Sequence, residues 1–289
     1  MAHPATGTVT IAGAALRTRH AGRGEPVLLT HGVPGDLESL APVADLLAGS
    51  CHAVTVSLRH AGPGPHGTRG FGTAEQREDM RDLIRALGLG PVHLVAWSYS
   101  AHAAMALTAG HPELVRSLMV FEPGFATEDQ GELEAVQQDM GAAFGPVFAA
   151  LAEGTAEDAL RRSIDAAAGE EGWFERQPAR IRAVHRRNAH MLPLLLTQSA
   201  PLPLDRQTLA SIGRPVTVAW GTCTRRCYRI VSKAAARTIP AARAVSVERA
   251  NHLLPEADPG AFAGEVAAHL RWAGGPADRP QPATSSSSP

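Results

Sequence analysis

The sequence predicts an α/β fold: a mostly parallel eight-stranded sheet with helices on both faces, plus a helical cap inserted before the last strands. Three observations carry that prediction. Short apolar runs rich in β-branched residues alternate with longer stretches of helical character, the pattern of parallel strands covered by crossover helices. The chain opens with two adjacent strand-like runs whose spacing suits an antiparallel hairpin. After Glu122 the strand-like runs cease until Arg214 while helix-like ones continue, so this stretch adds nothing to a sheet and is too ordered for a linker.

Taken in order, the hairpin joins VTI (9–11) to AALRTRH (14–20) around Ala12–Gly13. PVLLTH (26–31) is the first parallel strand, and DLESLAPVADLLAG after it carries early acids and a closing glycine, the signals of a helix start and stop. HAVTVSL (52–58) is the next strand. The glycine-rich GPGPHGTRGFG (62–72) lacks the lysine and spacing of a phosphate-binding loop and reads as a plain loop. TAEQREDMRDLIRALGLG repeats the acid-to-glycine helix pattern, and VHLVAW (92–97) runs straight into the alanine-rich helix SAHAAMALTAGHP, which stops at Gly110 before a proline. LVRSLMVFE (114–122), RPVTVAWG (214–221) and ARAVSVE (242–248) complete the eight strands. In the long break, ELEAVQQDMGAAFGPVFAALAEG, TAEDALRRSIDAAAG and ARIRAVHRRNAHMLPLLLTQ are helical. Residues 124–205 are therefore expected to cap the carboxyl edge of a core made of 1–123 and 206–272, and the Pro/Ser-rich 273–289 should be disordered.

Composition bounds the function. With 289 residues, 44% of them hydrophobic, the chain can bury one large core and an insertion. Lysine plus arginine total 27 against 28 acids, and a net charge of −1 supplies no field for nucleic acid or an anionic membrane, which leaves a small-molecule substrate as the expected partner. No apolar run approaches the ~20 residues of a membrane span, and MAHPATGTVT lacks the basic-then-apolar order of a signal peptide, so a cytoplasmic location is expected. Three cysteines, Cys51, Cys223 and Cys227, make no disulfide framework and fit a reducing compartment. The oligomeric state is left open.

Chemistry is concentrated where VHLVAW meets the following helix. A sharp strand-to-helix turn holds its central residue in a strained backbone geometry, and the positions two before and two after must be small; here they are Ala96 and Ser100 around Ser98. Ser98 would project at the carboxyl edge of the sheet, with the Tyr99 N–H available to a developing oxyanion.

The pentapeptide Ala96-Trp97-Ser98-Tyr99-Ser100 resembles the nucleophile elbow of the α/β-hydrolase superfamily, usually G-x-S-x-G, with both glycines replaced. Further stretches match that family in order. LLTHGVPG (28–35) resembles its H-G-x-P loop, SLRHAGPG (57–64) its D-x-R-G-x-G segment with Ser57 and His60 substituted, HPELVRSLMVFEP (111–123) its return to the sheet, and RANHLLPEADPGAFAGEVAAHL (249–270) its terminal histidine loop. The resemblance implies an α/β-hydrolase fold, His252 as general base, the Val33 N–H as second oxyanion donor beside Tyr99, and a loop-pinning His31.

An imidazole base needs a carboxylate to fix its tautomer, and the segment WGTCTRRC (220–227), where most members of that family carry the acid, has none; from Arg206 through Val247 there is no aspartate or glutamate. Haloalkane dehalogenases, which this chain resembles, place the acid in some branches at the preceding strand end, and that likeness assigns the role to Glu122. Asp205 and Glu256 stand in reserve. Cys223-x3-Cys227 lacks the spacing of redox or zinc motifs and reads as a buried thiol pair, while His185 and His190 lie five apart and do not share a helix face as metal ligands would. No metal and no cofactor is expected. His31, Trp97 and Arg225 are candidate pocket residues; Arg225, with Arg226 and Arg229, either meets an anionic group on the substrate or belongs to a solvated or salt-bridged cluster. The expected activity is hydrolysis of a small or medium carboxylic ester, thioester or amide through an acyl-serine; other chemistry on the same scaffold, or a binding protein without turnover, are the alternatives.

Overall fold

The computed structural model describes residues 4–275 apart from 12, 65–69, 125–126 and 199. One sheet of eight strands runs in the order β1-β2-β4-β3-β5-β6-β7-β8. Its strands are β1 (Ala5–Ile11), β2 (Ala14–Gly22), β3 (Pro26–Thr30), β4 (His52–Val56), β5 (Val92–Trp97), β6 (Val115–Phe121), β7 (Val216–Gly221) and β8 (Arg243–Val247). β1 and β2 pair antiparallel, as do β2 and β4, and every later pairing is parallel. Each expected strand is present; β1 starts four residues earlier than VTI, because Ala5–Thr8 continue the ladder against β2, and its turn residue 12 lies outside the described residues.

The central strands β3 to β7 are buried on both faces, their side chains alternating between the two. On β3, Leu28 joins one apolar cluster, with Leu94 of β5 and Leu118 of β6, while Val27 and Leu29 join the other, with Val95 and Met119. Helices α2 (Thr73–Ala86) and α3 (Tyr99–Gly110) cover the first face through Met80, Leu83 and a row of alanines. Helix α1 (Leu37–Leu47) covers the second through Leu40, Val43 and Leu47. Each such aliphatic side chain contributes roughly 1.5–3 kcal/mol by leaving water. β5 is buried at all six positions, which anchors the turn at its carboxyl end more firmly than a half-exposed strand could.

Between β6 and the short helix α9 (Arg206–Ala210) lie α4 (Gln130–Ala152), α5 (Ala156–Ala168), α6 (Trp173–Arg176), α7 (Ala179–Asn188) and α8 (Leu192–Thr197). The third helix-like run of the insertion, expected as one helix, is divided by a single 3₁₀ turn at Ala189–Met191. Pro193 explains the division, since its nitrogen cannot donate to the carbonyl four residues back. Asp36 fastens the insertion to the core: one carboxylate oxygen caps α1 at the Glu38 N–H, 2.9 Å away, and the other accepts from Arg187 at 2.6 Å and Asn188 at 2.9 Å. Burial alone would push the Asp36 carboxyl up, but the Asn188 and Arg187 hydrogen bonds outweigh it and hold the group below the usual carboxylate range. His102 of α3 stitches both ends of the insertion, its ring nitrogens lying 2.8 Å from the Gly124 carbonyl and 2.7 Å from the Leu202 carbonyl.

After β7 come α10 (Arg226–Thr238), then β8, α11 (Leu254–Ala257) and α12 (Pro259–Gly274), which packs Phe262 and Val266 into the second cluster. The disordered tail expected from residue 273 is corrected at its start, because α12 continues through Ala273, which is buried, to Gly274; residues 276–289 lie outside the described residues. Among the described residues no helix is long and apolar enough to cross a membrane.

Candidate active site

β5 ends at Trp97 and α3 begins at Tyr99, so Ser98 alone makes the turn, with φ 59° and ψ −121°. A non-glycine residue held there costs on the order of 1–3 kcal/mol, and the surroundings must over-determine it. They do so through the Ser98 N–H, which donates to the Phe121 carbonyl at 3.0 Å, and through full burial of Ala96 and Ser100. The hydroxyl that replaces the usual glycine hydrogen at position 100 is absorbed rather than tolerated: Ser100 Oγ lies 3.0 Å from Thr30 Oγ1 and 3.1 Å from the Thr30 and Trp97 carbonyls.

His252 sits in the loop after β8, with its Nε2 2.8 Å from Ser98 Oγ and its Nδ1 2.7 Å from Glu122 Oε2. In this arrangement the serine hydroxyl donates to Nε2 and the Nδ1–H donates to the carboxylate, the tautomer that a base needs. Glu122 is the first residue after β6, wholly buried and at φ 50°. Its Oε1 accepts the Gly221 N–H at 2.8 Å and its Oε2 accepts the Thr224 hydroxyl at 2.7 Å, so the segment that lacks an acid supplies donors to this one instead. The Trp97 Nε1–H donates to the His252 carbonyl at 2.9 Å, and the ring of Tyr228, near the start of α10, lies parallel to the imidazole with centroids 3.8 Å apart and planes 6° apart.

Opposite the serine, a Cβ on Gly32 would stand 3.0 Å from Ser98 Cβ, tighter than ordinary packing, so glycine here lets the loop backbone approach the serine without a shift of either. His31 fixes the loop from behind: its Nδ1–H donates to the Gly32 carbonyl at 2.7 Å and its Nε2 accepts the Leu58 N–H at 3.1 Å. Burial lowers the His31 pKa, against the pull of that carbonyl, which suits the neutral ring these two bonds require. Val33 and Tyr99 both line a cavity of about 330 Å³ over Ser98. Tyr99 is the first residue of α3, where an amide N–H has no acceptor within its own helix. The Tyr99 side chain turns away, donating its hydroxyl to Gln198 and stacking on Phe71 at 5.6 Å. The rest of the cavity is walled mainly by Phe144, Val147, Leu151, Ile164, Leu192 and Leu195 of the inserted helices, and among the described residues no lysine or arginine lines it.

A sequence profile of the alpha/beta hydrolase family matches residues 27–265. The chain belongs to that family. It is 30% identical over 122 residues to the 2-(acetamidomethylene)succinate hydrolase of Mesorhizobium japonicum, covering 42% of this chain and 44% of that one. The chain spans less than half the length of the curated relatives it matches first. In fold, this α/β hydrolase is similar to an esterase from Thermogutta terrifontis, with a TM-score of 0.67 at 20% identity over 94% of this chain and 99% of that one. It is also similar to an enol-lactonase from Burkholderia xenovorans, at 0.72 and 16% over 91% and 99%.

Of the residues singled out in the sequence of this α/β hydrolase, Ser98, His252 and Glu122 come together, and Trp97, Val33 and Tyr99 line the cavity beside them. Two pocket candidates do not. His31 is buried in the loop it pins, and Arg225 faces Asp139 of α4 at 2.8 Å, because the same carboxylate also accepts the Cys227 N–H at 2.9 Å and holds the start of α10 against the insertion. The reserve acids are occupied elsewhere, Asp205 as the cap of α9 and Glu256 in a pair with His185. The buried thiol pair is also corrected: Cys227 is buried and its pKa is pushed up to about 12 by burial and Asp139, whereas Cys223 is exposed because it precedes α10 on the surface of the loop. Among the described residues no group of three or more candidate metal ligands is present. Tyr228 and Thr224 are site neighbours that the sequence did not single out; their signal was position alone, since both come just after the strand end where the family acid usually stands.

Proposed function

We propose that this chain is a cofactor-free serine hydrolase that cleaves a small or medium carboxylic ester, thioester or amide through an acyl-enzyme. The observation that carries the reading is the unbroken hydrogen-bond chain from Ser98 Oγ through His252 to Glu122. Ser98 Oγ attacks the carbonyl carbon as its proton passes to His252 Nε2, and Glu122 stabilises the imidazolium that results. The Val33 and Tyr99 amides receive the charge that develops on the carbonyl oxygen. The imidazolium then gives its proton to the leaving group, and a water activated by the same base releases the acid. Alkyl-halide chemistry on this fold needs a carboxylate nucleophile, for which Ser98 is no substitute.

Residues 124–205 act as the cap that shapes the substrate site. The cavity lies near the small end of the roughly 300–1,000 Å³ typical of small-molecule sites, and its largely apolar wall, with no lysine or arginine among the described residues, favours an uncharged acyl group. Balanced charge and three free cysteines accord with a cytoplasmic enzyme. A fluorophosphonate probe and a panel of p-nitrophenyl esters of increasing chain length test the reading. Covalent labelling and turnover that both vanish in Ser98→Ala support it; a parent protein that neither labels nor turns over any ester of the panel would make the fold a ligand-binding one.

A further inference from the structure

Tyr228 occupies the place on the rim where a family member of the usual kind has its acid a few residues upstream, and it does something an acid cannot. Its ring lies face to face with the His252 imidazole, 3.8 Å between centroids and 6° between planes. The two hydrogen bonds of His252 act in the plane of its ring, at Nδ1 and Nε2, and neither resists rotation of the ring about the line joining Glu122 to Ser98. A flat surface against one face does. Trp97, the other aromatic neighbour, is tilted by 51° with its centroid 6.1 Å away and reaches His252 through the backbone carbonyl instead.

We infer that Tyr228 is a positioning residue for the proposed reaction: its ring holds His252 in plane between Ser98 and Glu122, and its π face stabilises the imidazolium formed when the serine proton is taken up. The inference rests on the serine-hydrolase reading above. An aromatic face attracts a cation lying over it, so the stack strengthens as charge appears on His252 and weakens when the proton leaves for the departing group. That is stabilisation of the transition state rather than of bound substrate. The tyrosine remains a neutral phenol throughout, because burial, reinforced by Cys227 and Glu122, raises its pKa well above the usual value. Among the described residues, the other titratable groups around the imidazole and its tyrosine are Glu122 on the strand end, Glu256 of α11, His185 of α7, His102 and Tyr99 on the same cavity wall, Cys227 beside Tyr228, and Asp139 with Arg225, paired to each other near Tyr228. Changing the electron density of one ring leaves all of them in place.

The experiment replaces Tyr228 by phenylalanine and by phenylalanine ring-fluorinated in steps, which drains the π face without altering its shape, and adds Tyr228→Leu to remove the face. The acid limb of the kcat/KM profile on a p-nitrophenyl ester reports the ionisation of the free-enzyme base. Tyr228→Phe is expected to keep the parent midpoint. Progressive fluorination should lower it stepwise, by about half a pH unit in all, and Tyr228→Leu should lower kcat roughly tenfold with KM nearly unchanged. A residue with only a packing role would move thermal stability and leave the midpoint where it was. An acid limb that stays fixed across the fluorinated series, with kcat of Tyr228→Leu within twofold of the parent, would overturn the inference while fluorophosphonate labelling of Ser98 stands. Absence of labelling in the parent would instead remove the reading beneath it.

Discussion

His185 Nε2, on inserted helix α7, lies 2.9 Å from Glu256 Oε2 on α11, and both side chains are almost wholly buried. Glu256, in α11, stands four residues beyond His252, so this pair joins the insertion to the segment that carries the candidate base. Nδ1 of the histidine and Oε1 of the glutamate have no partner among the described residues, which means that the pair recovers only part of the solvation it gave up.

The pair should therefore behave non-additively. Glu256→Leu alone leaves His185 buried without its acceptor and is expected to lower the unfolding free energy by about 3 kcal/mol, within the range for breaking one side of a buried pair. The double variant His185→Leu with Glu256→Leu should return most of that loss. Urea unfolding of the parent, the two single variants and the double gives the coupling directly; a double variant as unstable as the sum of the singles would show that the contact is not what stabilises this junction.

Glu122 and Asp205 can be separated in the same simple way. The Glu122 carboxylate accepts from His252, Thr224 and Gly221 at once, whereas Asp205 is spent on the N–H of Thr208 at the surface. Glu122→Gln places an amide where only acceptors fit, favours the wrong histidine tautomer and should cut kcat by about 10³–10⁴. Asp205→Asn, which keeps an oxygen for the helix cap, should leave kcat within twofold and cost a few tenths of a kcal/mol at most. The opposite ranking in an ester assay would move the third member of the site away from Glu122.

The parts of this molecule that were legible in its sequence share a physical cause. VHLVAW is apolar along its whole length because both of its faces are buried, and a residue pattern set by burial can be read without knowing the neighbours. The positions of Ser98 and Glu122 on one rim were legible because both come directly after strand ends that the pattern fixes, whereas the candidate role of Glu122 came from likeness to haloalkane dehalogenases. For Arg225 a salt bridge was legible but its partner was not, since charge suggests a partner without naming one, and Asp139 lies 86 residues upstream on a helix whose docking depends on the whole fold. Tyr228 was missed for a similar reason. Nothing in the local sequence distinguishes an aromatic ring in the first turn of α10 that fills the core from one that lies against an imidazole contributed by a distant loop.

A buried polar chain far from Ser98 gives the fold its own pH dependence. His269 of α12 is fully buried, with Nε2 2.8 Å from the Ser117 hydroxyl of β6 and Nδ1 2.8 Å from the Thr217 hydroxyl of β7, and Ser117 in turn meets His93 of β5 at 2.6 Å. Hydroxyls can donate or accept, so the neutral ring is satisfied, whereas a proton on it would be buried away from water with His93 and Arg243 nearby. Burial, with His93 and Arg243 adding repulsion, pushes the His269 pKa down to about 3 from its ordinary 6.5. The folded pKa is thus depressed, and at pH 7 both folded and unfolded chains hold the ring neutral. As the pH falls below 6.5 the unfolded chain takes up a proton that the folded one refuses, and stability declines until the pH approaches the folded value near 3. One such group contributes a slope of up to about 1.4 kcal/mol per pH unit within that window. His269→Gln retains hydrogen-bonding capacity without titrating, so its unfolding free energy should be lower than the parent's at pH 7 yet fall less steeply between pH 6 and pH 4.5. Denaturant titrations at four pH values across that interval measure both slopes, and identical slopes would place the acid sensitivity of this fold elsewhere.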